Sequence, residues 1–194
     1  VSSVDVIQER TLLESAFAGL GTDEIALDFL EPPVTLARLE EKLREGCHVV
    51  HYVGHGFYNA KRQQAALYLQ DEKGDTEPVT DSALSEMMAR QGVRPQLVFL
   101  AACQSAATST ADAFLGLAPK LVMEGVPAVV AMQSLVTVET ARRFSAECYR
   151  RLVKHGLIDL AVNEARSALV TSGRPDAGVP VLFMRLKSGK VWER

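Results

Sequence analysis

Apolar positions recur along the chain in two rhythms. From Val4 to Leu20, the residues Val6, Ile7, Leu12, Leu13, Ala16, Phe17 and Leu20 follow helical spacing, and Gly19 with Gly21 supplies a stop, so the pattern predicts a first helix. Thr35 can cap a second that runs to about Arg44 and ends at Gly46. Thr80 or Asp81 caps another, which carries Leu84, Met87 and Met88 and ends near Gly92. Three more follow over about Ala111 to Met123, Thr137 to Lys154 and Ile158 to Thr171. The second rhythm is that of buried strands: His48 to Val53, Leu97 to Ala102, Pro127 to Met132 and a closing run from Val179 to Leu186. Ile25 to Leu30 reads as a further short strand broken by Pro32-Pro33, and Ala66 to Gln70 with Glu77 to Val79 as a hairpin around the turn Asp71–Asp75. Continuous apolar strands alternating with helices indicate an α/β fold with an open, mostly parallel sheet covered on both faces, the hairpin at an edge. Ligand and catalytic groups in such folds collect beyond the carboxyl ends of the strands.

Composition narrows the function classes. A chain of 194 residues suits one core, so residues 1–194 are expected to form a single domain. With 47% hydrophobic and 23% charged residues and a net charge of -3, it reads as an ordinary globular protein. The basic pairs Lys61-Arg62, Arg142-Arg143 and Arg150-Arg151 are too short for a phosphate track, which argues against nucleic acid as a partner. The apolar runs fall short of the roughly 18 residues a membrane helix needs, so no membrane partner is expected. No leader pattern opens the chain and its three cysteines cannot all pair with one another, which favours the cytoplasm. The start at Val1 without a Met suggests a domain excised from a larger polypeptide.

Two strand ends carry the candidate chemistry. Gly54-His55-Gly56 ends one apolar strand, and Ala101-Ala102-Cys103-Gln104-Ser105 ends another. A catalytic thiol needs a route to thiolate near neutral pH, an imidazole to handle the leaving-group proton, and backbone donors for the oxyanion. The glycines let the backbone turn and approach a substrate closely beside the imidazole. Small residues before the thiol leave a groove open, and a following helix amino terminus would favour the thiolate. Cys103 also follows His55 at close to the spacing of about 50 residues that separates the pair in caspases, and Ala102-Cys103-Gln104 fits part of their cysteine motif, with Ala101 and Ser105 departing from it. Cys47 and Cys148 read as packing residues. His51 could be mistaken for a metal ligand, but it sits four strand residues from His55, about 13 Å away, too far to share one metal. No metal and no organic cofactor are expected; no Walker or Rossmann glycine pattern and no Gly-x-Ser-x-Gly elbow is present.

The residues resemble the CHAT domains, relatives of caspases and separase often joined to tetratricopeptide repeats. Val50 to Gly56 looks like the family's His-containing strand end, Leu97 to Ser105 like its Cys-containing one, Gly125 to Gln133 like its next core strand and Pro180 to Phe183 like its closing strand. The resemblance implies a caspase-like three-layer αβα sandwich and a cysteine endopeptidase that cleaves a protein substrate through an acyl-enzyme. It implies Cys103 as nucleophile, His55 as general acid/base and the amides of Gly56 and Cys103 as the oxyanion hole. Further domains such as tetratricopeptide repeats and a role in bacterial signalling or defence follow from it too. The substrate-binding residues would be Ala101, Gln133, Ser134 and Leu135. Leu135 stands where many relatives carry an Asp that recognises a basic P1 residue, and Ala101 lacks the acid of metacaspase-like sequences, so a basic P1 side chain is disfavoured. The rival reading is a catalytically silent caspase-like scaffold, which loss of either dyad residue would have favoured.

Overall fold

The computed structural model describes residues 6–17, 25–102, 108–134 and 136–192. Helices α1 (Val6–Phe17) and α2 (Leu36–Arg44) precede β1 (Val49–Gly54), β2 (Gly56–Asn59), β3 (Gln64–Gln70) and β4 (Thr76–Thr80). Then come α3 (Asp81–Ala89), β5 (Leu97–Ala102), α4 (Thr108–Met123), β6 (Ala128–Met132), α5 (Val138–His155), α6 (Ile158–Thr171) and β7 (Pro180–Met184). Three helices begin at threonine caps: Thr35, Thr80 and Thr137 accept from the amides of Arg38, Ala83 and Thr140.

Four strands form the central sheet in the order β1-β5-β6-β7, the first three parallel and β7 antiparallel to β6. Side chains alternate between its faces. Tyr52 meets Phe114 of α4 edge-on at 6.1 Å, whereas His51 and Phe99 face Tyr149 and Phe144 of α5. The sheet is thus sandwiched between α4 on one face and α5 with α6 on the other. Burial on both faces is why its strands read as unbroken apolar runs: β6 is buried throughout, and Leu97 and Phe99 have no exposed surface.

Two expectations are corrected. The hairpin is present, its turn held by Asp71 Oδ1, which accepts from the amides of Lys73 (2.8 Å) and Asp75 (2.9 Å). It does not extend the parallel sheet, however; it joins β2 in a separate three-stranded antiparallel sheet ordered β2-β3-β4. The reason is the buried row Ala65, Leu67 and Leu69, whose strand packs against α4. Residues 25–31 form no strand. Side chains fix that segment instead: Asp28 pairs with Lys42, Glu31 with Arg10, and the Arg10 guanidinium lies 4.2 Å over the Phe29 ring.

Asp81 ties α3, β3 and α4 together. Its carboxylate, 1% exposed by residue area, accepts from the amides of Ala65 (3.1 Å) and Ser82 (2.8 Å) and from the Lys120 ammonium. Burial pushes this carboxyl up, but the Lys120 ammonium and the two amides outweigh burial and hold it below the ordinary Asp value of 3.8. A depressed carboxyl contributes stability that is present above the unfolded value and lost as pH falls through the folded one. Asp81→Ala is expected to cost about 2 to 3 kcal/mol in urea unfolding at pH 7, because the buried Ala65 amide, the Ser82 amide and the Lys120 ammonium lose their acceptor. The parent is expected to lose stability below about pH 4, and Asp81→Asn should flatten that fall.

Candidate functional site

β1 and β5 run side by side in strict register, from Val49 opposite Leu97 to Gly54 opposite Ala102. The residues that follow these last partners are His55 and Cys103. His55 is the single residue between β1 and β2 and is partly buried; Cys103 lies outside the described residues.

The main chain at His55 is held from both sheets. The Tyr68 amide donates to the His55 carbonyl at 3.0 Å, and the Tyr52 hydroxyl lies 2.7 Å from the same oxygen and 3.0 Å from the Tyr68 carbonyl, sharing one proton between two acceptors. Neither flanking glycine has the positive φ that would demand glycine on backbone grounds. Space demands it instead. A Cβ at Gly54 would sit 2.4 Å from the Tyr52 hydroxyl oxygen, and one at Gly56 would sit 2.8 Å from Ala113 Cβ and 3.1 Å from the Ala66 carbonyl oxygen. The sequence marked the two glycines but assigned them to backbone turning and to approach of a substrate; the close approaches found are those of Tyr52 and α4, and the only trace of the Tyr52 clamp in the sequence is a tyrosine two residues before Gly54.

The ladder also orients the Gly56 amide. Because Tyr68 donates to His55, those two residues form a hydrogen-bonded antiparallel pair. The next pair, Gly56 with Leu67, is then of the alternate type, whose N–H groups point away from the partner strand. The Gly56 N–H is therefore directed to the side of β2 opposite β3. Partial burial pushes the His55 imidazole below the ordinary histidine value of 6.5.

Among the other expected site residues, Ala101 is buried at 6% and pairs with Val53. Gln133, just past β6, donates its amide to Val179 (3.0 Å) and its Nε2 to Gly178 (2.8 Å); Ser134 is exposed, and Leu135 lies outside the described residues. Two acids near this stretch in the bonding network, Asp176 and Glu139, have partners. Asp176 accepts from the Thr137 amide (3.2 Å) and the Thr140 hydroxyl (3.0 Å), and Glu139 pairs with Arg143 and Arg174.

His51 is a core histidine. Its ring stacks on Phe99 with centroids 4.8 Å apart, and its Nδ1 lies 2.7 Å from the Tyr149 hydroxyl. The residue as a whole keeps some surface, but its ring is enclosed by these neighbours, and desolvation pushes it down to about 4. Among the described residues no group of three or more His, Cys, Asp or Glu side chains could hold a metal ion, and no helix is long and apolar enough to cross a membrane. Cys148 is buried and its thiol is pushed up to about 12, and burial also raises half-buried Cys47, so neither resembles a thiolate nucleophile.

A mostly parallel sheet between helical layers, with a histidine at the carboxyl end of one strand, defines a caspase-like αβα sandwich. The chain belongs to the CHAT domain family, whose model matches residues 6–187. No curated protein matches the chain.

Tyr52→Phe removes the clamp and is expected to cost about 1 kcal/mol of unfolding free energy. Gly54→Ala should cost more, about 1 to 3 kcal/mol, since the ring must leave its place; urea titrations of both variants check the order. The unfolded state protonates His51 at higher pH than the folded state does, so stability should fall as pH drops from 6.5 toward about 4. His51→Gln should remove that slope in pH-dependent unfolding.

Proposed function

We propose that this domain is a cysteine endopeptidase in which Cys103 and His55 form the catalytic dyad. The observation that carries the reading is the register of β1 with β5. His55 and Cys103 each directly follow the last paired residue of neighbouring parallel strands, Gly54 and Ala102, and such strands lie about 4.8 Å apart. Membership of the CHAT family and the direction of the Gly56 amide support it.

The Cys103 thiolate attacks the scissile carbonyl carbon, and the carbonyl electrons move onto oxygen, where the amides of Gly56 and Cys103 hold the charge. The His55 imidazole, neutral near pH 7, takes the thiol proton and delivers it to the departing amine as the carbon–nitrogen bond breaks. Water, deprotonated by the same imidazole, then hydrolyses the thioester. The S1 pocket is lined by the strand from Val129 to Leu135 with Gln133 and Ser134, and floored near Ala101. None of these lining residues carries a carboxylate, and Glu139 and Asp176 are already engaged. It favours a small or apolar P1 residue, because an unpaired Arg or Lys would lose its hydration there without gaining an ion pair. The protein works in the cytoplasm as part of a larger bacterial signalling or defence polypeptide, with tetratricopeptide repeats or similar domains selecting its protein substrate.

The test is labelling with an electrophilic cysteine probe together with cleavage of a peptide library. The parent should label at Cys103 and Cys103→Ala should not, while His55→Ala should lower cleavage by two orders of magnitude or more. Arg and Lys should be depleted at P1. An unlabelled Cys103 would leave a caspase-like interaction module instead, and a library profile dominated by basic P1 residues would refute the pocket.

A further inference from the structure

Residues two apart on a strand share a face, and on the small sheet this sorts the positions around His55. Gly56 and Tyr58 face α4: a Cβ at Gly56 would touch Ala113, and the Tyr58 ring lies against Gly116. Phe57 therefore stands on the opposite face with its cross-strand partner Ala66. The ladder extends back to His55 through the Tyr68 amide, so His55 shares the face of Phe57, about 7 Å away along the strand. Two rows result, His55–Tyr68–Pro78 and Phe57–Ala66–Thr80, and neither contains a carboxylate or an ammonium. Ala66 is 7% exposed and Phe57 42%, so a large aromatic surface lies open beside the imidazole above a small buried neighbour.

We infer that Phe57, with Ala66 and Tyr68 beside it, is the shelf that receives an apolar side chain on the leaving-group side of the scissile bond. The inference rests on His55 as the proton donor. When the carbon–nitrogen bond breaks, the imidazolium gives its proton to the amine, so the departing segment begins beside the ring. An extended chain advances about 3.4 Å per residue, and the distance to Phe57 corresponds to one or two residues past the cut. The occupant is a polypeptide with an aromatic or branched aliphatic residue at P1′ or P2′. A charged side chain there would meet apolar surface without a partner.

Internally quenched peptides randomised at three positions on each side of the cut test this with the parent, Phe57→Ala and Phe57→Leu. The parent should enrich aromatic and branched residues at P1′ or P2′. Phe57→Ala should lose that enrichment and at least about tenfold in kcat/KM on the preferred peptides, with the P1 profile unchanged, and Phe57→Leu should retain most of both. Phe57→Ala with an unaltered primed-side profile, or with a uniform loss on all peptides, overturns the shelf while Cys103 labelling and cleavage uphold the dyad. Absence of any Cys103-dependent cleavage overturns the dyad itself, and the shelf with it.

Discussion

The position of His55 depends on a shortage of space on both sides of it. Gly54 vacates the volume that the Tyr52 hydroxyl occupies, and Gly56 vacates the volume between the chain and Ala113 of α4. A methyl group at either place would push Tyr52 off its carbonyls or lift β2 from α4. Two sheets of different kinds can therefore meet across a single residue, the parallel one ending at Gly54 and the antiparallel one starting at Gly56. The carbonyl at the joint is bound by a donor from each sheet, the Tyr52 hydroxyl and the Tyr68 amide, so the joint moves only if both sheets move.

α4 is the support common to both sheets. It packs on β2 and β3 as well as on β6, and Asp81 holds it to the start of β3 through Lys120 and the Ala65 amide. A second clamp lies past the end of β6. Gln133 is bonded to Gly178 and Val179, and Asp176 reaches Thr137 and Thr140 at the start of α5. The histidine corner and the wall past β6 are thus fixed by separate networks, one anchored on α4 and the other on α5. The acid in each network, buried Asp81 and partly exposed Asp176, is satisfied by several donors, which favours the ionised carboxylate.

The features legible in the sequence are those with local chemistry. Thr35, Thr80 and Thr137 cap helices by bonding an amide three residues on, and β5 and α6 keep the bounds their patterns predict, Leu97–Ala102 and Ile158–Thr171. β2 escaped notice because its four residues gain strand identity only from β3, across a turn that the pattern does not mark. Ile25 to Leu30 erred the other way: apolar residues at strand-like density are held there by a cation over Phe29 and by ion pairs. At the candidate site, His55 and its glycines were legible, but the sequence argument assigned the glycines to backbone freedom. Their actual reason, room for Tyr52 and for α4, involves partners such as Ala113 that are distant in the chain. Cys103, Gln104, Ser105 and Leu135 lie outside the described residues, so the structure marks only where β5 and β6 end before them.

The packing also separates what the fold requires from what chemistry requires. Gly54, Gly56 and Tyr52 are accounted for by volume and by hydrogen bonds to carbonyl oxygens, with no reference to catalysis. Those bonds engage only the main chain of residue 55, and any amino acid offers the same carbonyl. They do not select histidine. The side chain at this joint sits at the carboxyl end of β1, an edge strand of the parallel sheet, partly buried, and burial lowers its proton affinity, which suits the role proposed for it. A neutral imidazole is the form that can take a proton from a thiol and then return it to an amine.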